Sequence, residues 1–225
     1  MFKIRSYAQK GFTLVEVMVS TAVAAIGMAG AISIFANTVQ SNTDSLQQIR
    51  LDQELRAIMN VMSRDIRRAG YWRDANGVDD NPFANNANLM TESAAESCFW
   101  YTYDADNNGA VSAGDQQGIR LINNAVNIIG TASSCADTSS VDDWSQISDS
   151  RTISITALNF NISDNACINA STDQRTCNTA IAGDVLRTMK VVTITLSGEL
   201  AADSDVSDTL IETVTVRNTV SAVQS

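Results

Sequence analysis

Asp104, Asp106, Asn108 and Ser112 place side-chain oxygens at positions 1, 3, 5 and 9 of a short run that ends at Asp115. Gly109 stands sixth, where a sharp turn needs it, Ala110 offers a backbone carbonyl seventh, and Val111 is apolar at the eighth position. Hard cations such as Ca²⁺ take about six to eight oxygen ligands, and this spacing wraps them around one point. Asp115 closes the run at the position where a longer, bidentate glutamate is usual, so that end of the site is weaker or reshaped. The competing reading is an Asn/Asp-rich turn that holds no metal. The neighbours Trp100-Tyr101-Thr102-Tyr103 and Ile119-Arg120-Leu121 are strand-like, so no flanking helices are expected. A bound Ca²⁺ would therefore order a loop rather than switch a signal.

The four cysteines, Cys98, Cys135, Cys167 and Cys177, all lie in the C-terminal two thirds of the chain. In an oxidising compartment two disulfides are the expectation. Three pairings are possible, of which the sequential one, Cys98 with Cys135 and Cys167 with Cys177, avoids nested loops and brackets the oxygen-rich run. A zinc site competes poorly, because the chain has no histidine and no CxxC spacing. The missing histidine also excludes Ser-His-Asp, Cys-His and HExxH chemistry. No phosphate loop or dinucleotide fingerprint is present, and acids are plentiful without marking a catalytic pair, so a non-enzyme is expected. The net charge of -10 argues against a nucleic-acid surface.

These groups must be positioned by the rest of the chain, which begins unusually. Lys3, Arg5 and Lys10 form a basic leader without acids, and Phe12 to Ala36 then runs 25 residues with Glu16 as its one ionisable group. Roughly 20 apolar residues cross a bilayer as a helix, and the leader charge would keep the N-terminus cytoplasmic. A carboxylate at membrane depth costs on the order of 2.5–3.5 kcal/mol and calls for a partner. Cleavage after Gly11 would create one, an α-amine on Phe12 that could neutralise Glu16 of a neighbouring subunit.

The stretch Lys10-Gly11-Phe12-Thr13-Leu14-Val15-Glu16 resembles the processing signal of type IV pilins and type II secretion pseudopilins. That resemblance implies cleavage between Gly11 and Phe12 by a prepilin peptidase, N-methylation of Phe12, and an assembly role for Glu16. It also implies other minor and major pilins and an inner-membrane assembly platform as partners. Many major pilins carry a proline in this helix; here the sole proline is Pro82, so any kink would fall at Gly27 or Gly30, which favours a minor component. The run Arg64-Asp65-Ile66-Arg67-Arg68-Ala69-Gly70-Tyr71-Trp72 resembles the PilW family of minor pilins, and pseudopilin J of type II secretion has a related helix end. The oxygen-rich run resembles EF-hand loops and, in its terminal aspartate, the calcium loops of dockerin modules.

Leu51, Leu55, Ile58, Met62, Ile66 and Ala69 form one helical stripe, and Gly70 is a plausible stop. Strand signals follow at Gln117 to Ile122, at Thr152 to Ile162 with Ile153, Ile155 and Ala157 on one face, at Leu186 to Leu196 and at Thr209 to Val220. Residues 73–97 read as an irregular segment or short helix rather than a strand. The expected organisation is a leader (1–11), a transmembrane or filament-core helix (12–36), an amphipathic continuation (37–70) and a head (71–225). The fold class is α+β, type IV pilin-like, with one long N-terminal helix packed on a mostly antiparallel sheet. The Arg64, Arg67 and Arg68 cluster reads either as an inter-subunit ion-pair site or as a solvated helix face.

Three functions fit these features. The first is a minor pilin at or near a type IV pilus tip, serving adhesion, twitching motility or DNA uptake. The second is a J-like type II secretion pseudopilin, and the third a membrane-anchored calcium-binding adhesin that does not polymerise. In the first two the chain sits as a single span in the inner membrane with a periplasmic head before assembly, and in a filament afterwards.

Overall fold

The computed structural model describes residues 11–73, 81–84, 90–93, 97–131, 135, 144–218 and 220–223. Most of the expected leader thus lies outside the described residues. Helix α1 spans Leu14–Ile66, and the chain divides into two compact units, Met1–Leu46 and Gln47–Ser225.

Among the described residues of the first unit, the apolar side chains of α1 are exposed. Ile26, for example, is 75% exposed, and Leu14, Val23, Ile32 and Phe35 are similarly open. Among the described residues α1 is the one helix long and apolar enough to cross a membrane. Its hydroxyls do not break that character. Ser20, Thr21 and Thr38 donate to the carbonyls of Glu16, Met18 and Ile34 at 2.6, 2.9 and 2.9 Å, so each is satisfied within the helix.

The second unit begins where that pattern changes. The stripe Leu51, Leu55, Ile58, Met62, Ile66 and Ala69 is buried throughout, against two antiparallel sheets. One sheet is ordered β1-β2-β3-β4-β5, from Met90–Ser93, Cys98–Thr102, Gln116–Ile122, Ala125–Ile129 and Ser145–Gln146. The other is ordered β6-β7-β8, from Ile153–Asn169, Val185–Leu200 and Asp203–Thr215, with β9 (Val220–Val223) also pairing with β7. The helix stripe, Phe99, Ile119 and Val126 of the first sheet, and Leu158, Ile194 and Val214 of the second belong to one core. This is the expected α+β, type IV pilin-like arrangement.

Three details depart from the sequence reading, the first being that the expected strand Thr209 to Val220 is divided between β8, which ends at Thr215, and β9, which starts at Val220. Residues 73–97 include strand β1, which pairs Met90 with Tyr101 and Ser93 with Cys98. Its four residues bury only Met90, too short an alternation to register as a strand signal. In β6 the ladder shifts register between Ile155 and Ala157, and the buried positions move from Ile153 and Ile155 to Leu158 and Phe160. A bulge inserts one residue and changes the phase of the pleat, so Ala157 leaves the face on which simple alternation puts it.

The helix and β7 meet at close range. A Cβ on Gly198 would lie 3.0 Å from Leu55 Cδ2 and 3.2 Å from the Ser154 carbonyl oxygen, so a side chain at this crossing would press on both.

Candidate functional site

Gly11 and Phe12 lie exposed in the non-helical stretch just before α1. Thr13 starts the helix: its hydroxyl accepts from the Glu16 N–H at 3.3 Å and its carbonyl from the Val17 N–H at 3.2 Å, an N-cap geometry. Thr-x-x-Glu is also the order of a capping box, a local signal for the helix start that leader charge and hydropathy do not carry. Glu16 therefore occupies the first turn, where the positive end of the helix dipole favours an anion.

The opposite end of α1 is held by residues distant in sequence. Gly70 adopts φ 71°, the left-handed conformation typical of a residue just past a helix, and its N–H donates to the Thr102 carbonyl at 2.8 Å. The side-chain amide of Asn218 donates to the Ala69 carbonyl at 2.8 Å, and that of Asn81 to the Gly70 carbonyl at 2.8 Å. The Tyr101 hydroxyl donates to the Asp65 carboxylate. Burial first, and then the Asp65 charge, push that phenol well above its ordinary range, which keeps it a donor.

From this fixed end, Tyr71, Trp72 and Arg73 run along the oxygen-rich loop. The Asp104 N–H donates to the Tyr71 carbonyl at 2.9 Å, and the Arg73 N–H returns a bond to Asp104 Oδ2 at 3.1 Å. The Trp72 indole donates to the Gly109 carbonyl at 3.2 Å, and the Arg73 guanidinium to the Asn107 carbonyl at 3.0 Å.

Within the loop, carboxylate oxygens of Asp104, Asp106 and Asp115 lie within 4.8 Å of one another. Asp104 and Asp115 are buried, at 1% and 0% exposure, and Asp106 is exposed. Asn107 and Gly109 turn the chain with φ of 58° and 79°. Asn108 Oδ1 accepts from the Ala110 N–H at 2.7 Å, and Asp106 accepts from both the backbone and the side-chain amide of Asn108. Asp115 accepts from the Ala105 N–H at 2.8 Å, the Ser112 N–H at 2.8 Å and the Ser112 hydroxyl at 2.6 Å. Burial alone would raise the Asp115 carboxyl, but these bonds outweigh it and hold the group below the ordinary carboxylate range. Disulfides join Cys98 to Cys135 and Cys167 to Cys177, and the first brackets this loop in sequence.

A cleft of about 680 Å³ beside the loop is lined by Arg64, Arg67, Arg68, Arg217 and Asp104, among others. Arg67 pairs with Glu212 and Arg68 with Asp65, each at 3.4 Å, and Arg68 also lies 4.1 Å from the centre of the Tyr103 ring. Two arginines of the cluster thus have partners inside the chain.

A family model for prepilin peptidase-dependent protein B matches residues 44–216, well over half of the chain. The chain belongs to that family. The region matched in this family member includes the oxygen-rich loop and all four cysteines. A second model, the prokaryotic N-terminal methylation motif, matches residues 7–32 and encloses Gly11, Phe12 and Glu16. Pilin-like protein PilA3 of Thermus thermophilus is 33% identical over 70 residues, covering 30% of this chain and 30% of that relative. The match therefore spans less than a third of the curated relative's length. No solved structure matches the chain. The protein is type IV pilin-like and prepilin peptidase-dependent.

Proposed function

We propose that this family member is a minor pilin, PilW-like in its helix end, that helps to initiate type IV pilus assembly and resides at or near the pilus tip. It is cut after Gly11, methylated on Phe12 and carried by an inner-membrane assembly platform into a filament with other pilins. It serves twitching motility, adhesion or DNA uptake as a structural component, not as an enzyme.

The observation that carries this reading is Glu16, the sole ionisable residue among the exposed apolar side chains at the start of α1. Those side chains need either lipid or neighbouring helices as cover, because about 25 cal/mol is gained per Å² of apolar surface removed from water. A simple anchor would gain nothing from a carboxylate at that depth. In a filament, the α-amine freed at Phe12 of one subunit supplies the counter-charge for Glu16 of the next. The basic leader supports a cytoplasmic N-terminus, and the two disulfides support a head in the oxidising periplasm before assembly.

A deletion strain scored for both surface pili and secreted enzymes tests the proposal. Loss of pili with secretion intact is the expected result. Loss of secretion with pili intact would indicate a J-like pseudopilin, and no change in either would indicate an anchored adhesin that does not polymerise.

A further inference from the structure

We infer that the loop from Asp104 to Asp115 is a calcium site that fastens the end of α1 to the first sheet. The inference stands independently of which filament the chain joins. Three carboxylates converge within 4.8 Å, and two of them are removed from solvent. Acidic clusters are common on protein surfaces, so the decisive observation is a different one. Asp104 is 1% exposed, and among the described residues its Oδ1 has no hydrogen-bond partner, while its Oδ2 accepts from the Arg73 N–H.

Buried polar atoms nearly always have a partner, and leaving a charged one without its bond costs more than leaving a neutral one. Among the described residues, no ion pair supplies the missing charge. The pairs are Arg56–Asp52, Arg67–Glu212, Arg68–Asp65 and Arg151–Asp149. Arg73, the cation bonded to the loop, spends its guanidinium on the Asn107 carbonyl. A cation bound among the three carboxylates removes both costs together: it partners Asp104 Oδ1 and cancels the repulsion among Asp104, Asp106 and Asp115.

The donor set selects the metal. It consists of oxygen alone, which suits hard cations. Asp104, Asp106, Asn108, the Ala110 carbonyl and Asp115 supply it, with Ser112 bound directly or through water, a number that fits Ca²⁺. Mg²⁺ demands a near-ideal octahedron and keeps most of its waters, so it fits this many-armed protein loop less well. Asp115 is shorter than the usual closing glutamate and is fixed by three hydrogen bonds. It cannot swing freely into a bidentate position, which sets the affinity in the class of extracellular calcium modules, roughly 10⁻⁴–10⁻³ M.

The consequence reaches beyond the loop. Tyr71, Trp72 and Arg73 follow the capped end of α1 and bond to Asp104, Asn107 and Gly109. Ordering the loop therefore orders the segment by which the helix is tied to the head.

Full-length protein in detergent, stripped with chelator, is titrated with CaCl₂ and followed by calorimetry and tryptophan emission, for which Trp72 is the local reporter. One saturable event is expected, accompanied by a higher thermal midpoint. Asp104→Ala and the exposed-site variant Asp106→Asn should each weaken binding by roughly tenfold or more, with far-UV dichroism unchanged in Asp106→Asn. Asp149→Asn, outside the loop, should bind as wild type. No heat and no emission change up to about 10 mM Ca²⁺ would overturn the site. So would saturable binding that survives in Asp106→Asn and Asp104→Ala, or an equal response to Mg²⁺.

Discussion

The indole N–H of Trp72 donates to the Gly109 carbonyl at 3.2 Å, joining the segment that follows α1 to the turn at the tip of the oxygen-rich loop. Gly109 takes φ 79° there, so its carbonyl direction depends on a conformation that few other residues adopt.

Trp72→Phe keeps an aromatic ring, though a smaller one, and removes the donor. The expected cost is about 1 kcal/mol, read as a lower denaturant midpoint with unchanged slope. Limited proteolysis should cut between Asp104 and Asp115 sooner than in wild type. Unchanged cleavage would mean that the indole bond does not hold the loop.

Gly198 tests the contact between helix and sheet. Its added Cβ would press on Leu55 and on the Ser154 carbonyl, and overpacking of this kind costs about 1–3 kcal/mol. Gly198→Ala should lower the thermal midpoint, and Gly198→Val should lower it further. Equal stability of all three proteins would mean that the crossing has room to spare.

Asp115 gives the acid dependence. Its folded-state pKa lies below the ordinary value, so its contribution is present above the unfolded-state value of about 3.9 and is lost as pH falls through the lower folded value. Asp115→Asn can meet the two Ser112 donors with its carbonyl only by setting its NH2 against the Ala105 N–H, and at neutral pH without calcium it should cost about 1.5–3 kcal/mol. The gap from wild type should close as pH falls below about 4. A gap constant with pH would contradict the role of the charge.

The two disulfides should differ in weight. They span 37 and 10 residues, and the chain-entropy relation gives about 4 and about 3 kcal/mol for such loops. Replacing both cysteines of a pair by serine should therefore lower stability more for Cys98 and Cys135 than for Cys167 and Cys177. Thermal melts of the two double variants decide the order.

The sequence carried those parts of the fold that repeat locally. Leu51 to Ala69 keeps helical spacing long enough to name the buried stripe, and Gly70 marks the stop through a backbone angle that favours glycine. The ligand-like oxygens were legible because they are contiguous. What escaped depends on distant partners. Asn218 caps the helix from across 149 residues, the β6 bulge displaces Ala157 from the core face, and β1 gains its strand character from pairing with β2. That Asp104 Oδ1 meets no hydrogen-bond partner among the described residues follows from packing around it, which spacing does not encode.

The assembly role of the N-terminal junction is tested most directly by intact-mass analysis of this chain in surface filaments sheared from cells carrying either the wild type or Glu16→Ala. The wild-type chain in the filaments is expected to begin at Phe12 and bear one added methyl group, and the Glu16→Ala chain to reach the membrane but be absent from the filaments. An uncut wild-type chain, or a Glu16→Ala chain as abundant in filaments as wild type, would contradict that role.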